Sequence, residues 1–186
     1  MHGAQSMTAG GDPEAVKLRA AVIFDRDGVL NVDHGYVGDV SRFEWIVGAR
    51  EAVLRVNRAG LLAIVATNQS GVARGLFDEA AVERLHGYIQ DELAAAGAHI
   101  DAFYTCPFLA GAPVARYAHR DHPDRKPNPG MILRAIADWS IDPARAVMIG
   151  DKASDMEAAR RGGVIGVLFP GGDLDAFVRD LRPETL

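Results

Sequence analysis

Asp25 and Asp27 follow the apolar run Ala20-Ala21-Val22-Ile23-Phe24, in the segment Asp25-Arg26-Asp27-Gly28. In extended backbone, residues two apart project to the same side, so both carboxylates can face one small volume beyond a strand's end. One can attack phosphorus while the other moves a proton, the division of labour that phosphate transfer needs. Read alone, the Asp-Gly pair also favours a tight turn, and the segment is then only a polar strand exit. A second segment, Thr67-Asn68-Gln69-Ser70-Gly71, follows the apolar LLAIVA; its Thr67 hydroxyl and backbone amides can cradle phosphate oxygens, although the same residue types also cap helices. A third, Arg125-Lys126-Pro127, places two cations ahead of a helix start, where solvated surface charge is also common. In the fourth, Gly150-Asp151-Lys152-Ala153-Ser154-Asp155, Asp151 follows the strand-like AVMI and Ser154 or Asp155 can cap the next helix. Each segment has a plain structural use, but jointly they supply a nucleophile, an acid/base, a cation and a metal site.

The elements that must position these groups are legible in the hydrophobic pattern. Apolar runs at 20–24, 61–66, 100–104, 146–149 and 164–169 have the length and composition of buried strands. Helical patterns fall between them at about 49–59, 78–96, 129–138, 154–161 and 173–180, with Gly60, Gly97 and Gly162 as stops. This alternation predicts an α/β fold, a Rossmann-like parallel sheet with helices on both faces and ligands beyond the carboxyl ends of the strands. Residues 1–14, small and polar with Gly10, Gly11 and Pro13, are expected to be a flexible lead-in to one domain over 15–186. Two segments, 28–48 and 105–128, are too long to be simple connections, and long loops in compact domains are usually functional.

Bulk properties narrow the class. A net charge of −5 with 48% hydrophobic residues suits a soluble enzyme and lacks the basic surface that nucleic-acid binding needs, so no nucleic-acid partner is expected. The single cysteine, Cys106, excludes an internal disulfide framework and fits a reducing compartment. No apolar run approaches a membrane span and the opening MHGAQSMTAGG lacks a signal peptide's apolar core, so no membrane partner and a cytoplasmic location are expected.

The four motifs, in this order over about residues 20–169, resemble the haloacid dehalogenase superfamily of phosphatases. DRDGVLNVDHGYV, TNQSGVARG and RKPNPGM look like its heptose bisphosphate and histidinol phosphate phosphatases, with DHGYV pointing to the heptose branch. The resemblance implies hydrolysis of a small phosphorylated sugar, a heptose 1,7-bisphosphate losing its 7-phosphate, through an aspartyl phosphate. It implies Asp25 as nucleophile, Asp27 as proton donor, and Thr67 and Lys126 as phosphoryl stabilisers. Magnesium would be held by Asp25, the Asp27 backbone carbonyl and Asp151. Substrate contacts would come from Arg26, Asp33, His34, Gly35, Tyr36, Asn68, Gln69, Ser70, Arg125 and Lys152. Mutases of this superfamily usually carry a large cap domain; the 28–66 interval leaves no room for one, so an uncapped phosphatase is expected.

The chain departs from that family in the long loop. Related heptose enzymes hold zinc with Cys-x-His and, later, Cys-x-Cys before Arg-Lys-Pro; the corresponding positions here are Cys106, Phe108, His122 and Asp124. Cys106, His122 and Asp124, with His119 nearby in sequence, offer a mixed zinc site, because zinc accepts sulfur, nitrogen and oxygen donors. The competing expectation is that Phe108, Pro113 and Tyr117 pack the loop in place of a metal. Other activities weighed are a histidinol-phosphate phosphatase, a nucleic-acid-end phosphatase, which the acidic composition disfavours, and a protein that binds phosphate or metal without turnover, which the complete set of catalytic positions disfavours.

Overall fold

The computed structural model describes residues 17–181, so the lead-in expected over 1–14 lies outside the described residues. Five parallel strands, β1 (Arg19–Phe24), β2 (Leu62–Asn68), β3 (Ala102–Cys106), β4 (Ile141–Gly150) and β5 (Ile165–Leu168), form one sheet in the order β3-β2-β1-β4-β5. The helices are α1 (Ala49–Arg58), α2 (Ser70–Ala73), α3 (Glu79–Ala95), α4 (Gly130–Trp139), α5 (Ala153–Gly162) and α6 (Leu174–Arg179).

Alternation along β1 builds both layers of the core. Val22 and Phe24 pack with Val65, Val147 and Ile149 under α1, α3 and α6. Ala21 and Ile23 face the other way, with Ile64 and Met148, against Met131, Ile132 and Ala135 of α4 and Ala158 and Ala159 of α5. A central strand buried on both faces must be apolar at every position, and β1 is buried from Ala20 to Phe24. Its register pairs Phe24 with Val65 of β2 and Ile149 of β4, so the residues that follow all three strands emerge at one end of the sheet.

Element boundaries differ from the pattern at informative places. β3 starts two residues late, because Asp101 is used to clamp β2: its backbone N–H donates to Ala63 O and its carboxylate accepts from Ala63 N. β4 runs back to Ile141, pairing with Arg19 before an irregularity and then in register from Ala146. The expectation of a buried fifth strand is corrected, since β5 is an edge strand with Ile165 and Leu168 exposed. Among the described residues no helix is long and apolar enough to cross a membrane.

Candidate active site

Asp25 leaves β1 with its backbone N–H donating to Ile149 O at 2.8 Å, fixing it beside the end of β4. Its carboxylate is buried and lies 2.9 Å from Lys126 Nζ; the same ammonium lies 2.7 Å from Asp155 Oδ1 and donates to Ala66 O at 2.9 Å. Lys126 itself follows a loop, and Asn68 holds it there: Asn68 Nδ2 donates to Lys126 O and Lys126 N donates to Asn68 Oδ1, at 3.0 and 3.1 Å. Burial pulls the ammonium towards neutrality, but Asp25 and Asp155 outweigh it and hold its pKa above the ordinary lysine value. Burial likewise pushes Asp25 above the usual carboxylate range, against the pull of Lys126 and reinforced by Asp155 and Asp27.

Asp151 follows β4, and one ligand oxygen from each of Asp25, Asp151 and Asp155 lies within 4.8 Å of the others. Asp151 Oδ1 is buried and has no hydrogen-bond partner among the described residues; Asp155 Oδ1 is also buried and meets only the Lys126 ammonium, while Asp155 Oδ2 accepts from the Lys152 backbone N–H. A buried carboxylate oxygen without a donor is costly unless a cation meets it. Three crowded carboxylates with one ammonium among them leave negative charge over, and a hard divalent cation takes such oxygen donors. Gly28 makes the approach possible: its φ is +93°, and a Cβ there would come within 2.3 Å of Asp151 Oδ2. Magnesium therefore fits the donor set of Asp25, Asp151 and Asp155.

Asp27 sits opposite, held by side chains from three segments. Asn31 Nδ2 donates to Oδ1 at 2.9 Å, Gln69 Nε2 to Oδ2 at 2.7 Å, and Arg26 Nη2 to both oxygens at 3.0 Å. Gln69 also donates to Thr67 Oγ1 at 2.9 Å, which links the second carboxylate to the end of β2. These groups open into a cavity of about 490 Å³ at the carboxyl end of the sheet, where the crevice rule for parallel sheets places ligands. Its walls include Asp33, Gly35 and Tyr36 from the 28–48 segment, Asn68, Gln69 and Ser70 where β2 passes into α2, and Arg125 and Lys152. Arg125 is propped by donating from Nη1 to Phe108 O at 2.9 Å, and Lys152 Nζ reaches across to Asp33 Oδ2 at 3.0 Å. That contact holds the Asp33 carboxyl below its ordinary value despite the opposing effect of burial. The cations Arg125, Lys126 and Lys152 around one opening suit a multiply charged anion.

The structure moves two expected substrate contacts away from the cavity. Arg26 is fully buried beneath it, and His34 lies on the outside, its Nε2 2.9 Å from Glu44 Oε2. Sequence reasoning gave Asp155 only a capping role; its spacing of four residues from Asp151 on the same loop and helix start was the available signal. The mixed zinc site is not assembled. Among the described residues, the Asp25, Asp151 and Asp155 group alone brings three metal-binding side chains together. Instead His122 stacks flat on Phe108 at 3.8 Å, its Nδ1 accepts from Asp124 N, and the Asp124 carboxylate accepts from Arg134 at 2.8 Å. Phe108 also meets Tyr117 edge-on at 6.0 Å within an apolar cluster that includes Leu109, Ala112 and Val114, whereas Pro113, expected to join this packing, is exposed.

Comparison with known proteins agrees with this geometry. Residues 124–181 match the HAD-hydrolase-like family model. The D-glycero-beta-D-manno-heptose-1,7-bisphosphate 7-phosphatase of Rhodopseudomonas palustris is 44% identical over 167 residues, covering 89% of this chain and 92% of that protein. The chain belongs to the heptose bisphosphate phosphatase family of the haloacid dehalogenase superfamily. A second member, from Vibrio cholerae, is 45% identical over 147 residues, 78% of each chain. The crystal structure of D,D-heptose 1,7-bisphosphate phosphatase from B. bronchiseptica, complexed with magnesium and phosphate, superposes with a TM-score of 0.74 at 31% identity, covering 89% of this chain and 90% of that one. As a heptose bisphosphate phosphatase family member, the protein is a phosphoric monoester hydrolase with the Rossmann-like sheet of its superfamily.

Proposed function

We propose that the protein is a magnesium-dependent phosphatase that removes the 7-phosphate of D-glycero-D-manno-heptose 1,7-bisphosphate through an aspartyl phosphate on Asp25. The observation that carries this reading is the 44% identity across nearly the whole of a relative named for that activity. Asp25 is the nucleophile because it alone joins the end of the central strand, the Lys126 ammonium and the cavity. Lys126 offsets its repulsion from the incoming phosphoryl group, and the Thr67 hydroxyl and neighbouring amides bind phosphoryl oxygens. Asp25, Asp151 and the Asp27 backbone carbonyl would hold magnesium, which supplies charge stabilisation of the transferring group. Asp27 serves the leaving sugar oxygen and then the attacking water on the same face. Arg125, Lys152, Asp33, Gly35 and Tyr36 bind the rest of the substrate, including its second phosphate.

The test is a comparison of catalytic efficiency on heptose 1,7-bisphosphate and on histidinol phosphate, with release of inorganic phosphate as the readout. Clear preference for the heptose is expected, lost on chelation of magnesium and abolished in Asp25→Asn. Preference for histidinol phosphate overturns the substrate, and undiminished release by Asp25→Asn overturns the nucleophile.

A further inference from the structure

Arg26 is the largest fully buried side chain among the described residues, and its surroundings are unusual for a guanidinium. Asp27 is the one carboxylate it bonds, with Nη2 3.0 Å from both oxygens. The same Nη2 donates to the carbonyl of Val37, at the end of the segment whose Asp33, Gly35 and Tyr36 line the cavity. Nη1 lies 3.4 Å from His86 Nε2 on α3, and Nε has no partner among the described residues. Burying a charge with one counter-charge and one unmet donor is expensive, and a scaffold position is better filled by an apolar side chain of similar volume. What the guanidinium does that an apolar group cannot is hold a carboxylate in one place and one orientation.

We propose that Arg26 is a positioning residue that fixes the Asp27 carboxylate for hydrolysis of the phosphorylated Asp25, and that it ties this carboxylate to the substrate-facing segment through the Val37 carbonyl. This rests on the assignment of Asp25 and Asp27 given above. In the step concerned, a water oxygen bonds to phosphorus as the bond between phosphorus and the Asp25 oxygen breaks. The electron pair returns to Asp25, and the water proton passes to an Asp27 oxygen. The three donors Arg26, Asn31 and Gln69 fix both oxygens of the Asp27 carboxylate in one orientation from which one of them can receive this proton. Arg26 is the only charged donor of the three, so its removal frees Asp27 most.

The experiment is a double-mutant cycle with Arg26→Lys and Asp27→Asn on the magnesium-loaded enzyme, using 4-nitrophenyl phosphate in stopped flow. If Asp27 acts as assigned, Asp27→Asn lowers kcat by about 10²- to 10⁴-fold and Arg26→Lys by about 10-fold or more. Both variants are expected to give a burst of 4-nitrophenolate with phosphate retained on the protein, because formation of the aspartyl phosphate outlives its hydrolysis. In the Asp27→Asn background, Arg26→Lys is expected to cost less than about twofold, since its effect passes through the missing carboxylate. Fully multiplicative losses with no burst overturn the positioning role. Absence of a defect in Asp27→Asn itself would overturn the Asp27 assignment instead, which separates the two failures. If Arg26→Lys does not fold, the contact is read without altering Arg26, by guanidinium NMR of the wild-type protein. Slow rotation of the Arg26 Nη2 group in wild type, released in Asp27→Asn, supports the proposal; free rotation in both overturns it.

Discussion

One ammonium stands between two carboxylates at the centre of the site: Lys126 Nζ is 2.9 Å from Asp25 and 2.7 Å from Asp155, with all three side chains almost wholly withdrawn from water. Such a cluster is costly to assemble and far more costly to break, because deleting the cation leaves two buried carboxylates facing each other. Lys126→Met is therefore expected to lose about 3–5 kcal/mol of stability, on the order of 10 °C in melting temperature, together with phosphate release. Thermal melting and turnover of the purified variant check this, and near-native melting would show that the pair contributes little. Asp25, Asp27, Thr67 and Asp151 were legible in the sequence because each stands where an apolar run breaks abruptly into polar residues, and Lys126 because it forms a cation pair with Arg125 ahead of a helix start. Asp155 was not, since an aspartate in the first turn of a helix is explained by capping alone, and it does receive the Lys152 N–H. Arg26 was misplaced for a different reason. A charged side chain between two acids is expected to face solvent or substrate, and its burial depends on Val37 and His86, 11 and 60 residues away in sequence.

At the scale of elements, the strands that carry the site were visible as apolar runs, whereas the loop before Lys126 was not. Its aromatic residues suggest that Phe108 and Tyr117 pack together, as they do edge-on, but nothing in its composition indicates that His122 lies flat on Phe108. That packing matters to the site because Arg125 donates to the Phe108 carbonyl, so the orientation of a substrate-facing cation depends on the loop's own core. Phe108→Ala is expected to raise KM several-fold while kcat stays within about twofold, since the transferring group is held elsewhere. Partial burial of the ring sets the accompanying stability loss at about 2 kcal/mol, below the cost of deleting a fully enclosed phenylalanine. Steady-state kinetics on the heptose bisphosphate and urea unfolding measure the two effects. A fall in kcat with unchanged KM would mean that the loop acts on the chemical step rather than on substrate binding.

At the scale of the whole molecule, the parallel order of the sheet brings Asp25, Thr67 and Asp151 to one end of the strands, where the loop before α4 adds Lys126, and the cost of that convergence is polar burial beneath the cavity. His86 marks where it reaches the fold's stability. Its ring stacks on Phe103 of β3 at 4.3 Å and its Nε2 faces Arg26, so burial first, and the guanidinium second, push its pKa down to about 3. In the unfolded chain the same imidazole titrates near its ordinary value of about 6.5. Between these values the unfolded chain binds a proton that the folded protein refuses, so stability present at neutral pH is lost as pH falls below about 6.5. By pH 5 the contribution of His86 amounts to about 2 kcal/mol of lost stability. Urea unfolding at pH 7 and pH 5 measures the slope, and comparison with His86→Gln separates it from the carboxylates, which titrate in both proteins. The variant is expected to start less stable at pH 7, having lost the stack on Phe103, yet to fall less between the two pH values. Equal losses in wild type and variant would mean that the folded protein accepts the proton at His86, which is possible only if α3 moves away from Arg26.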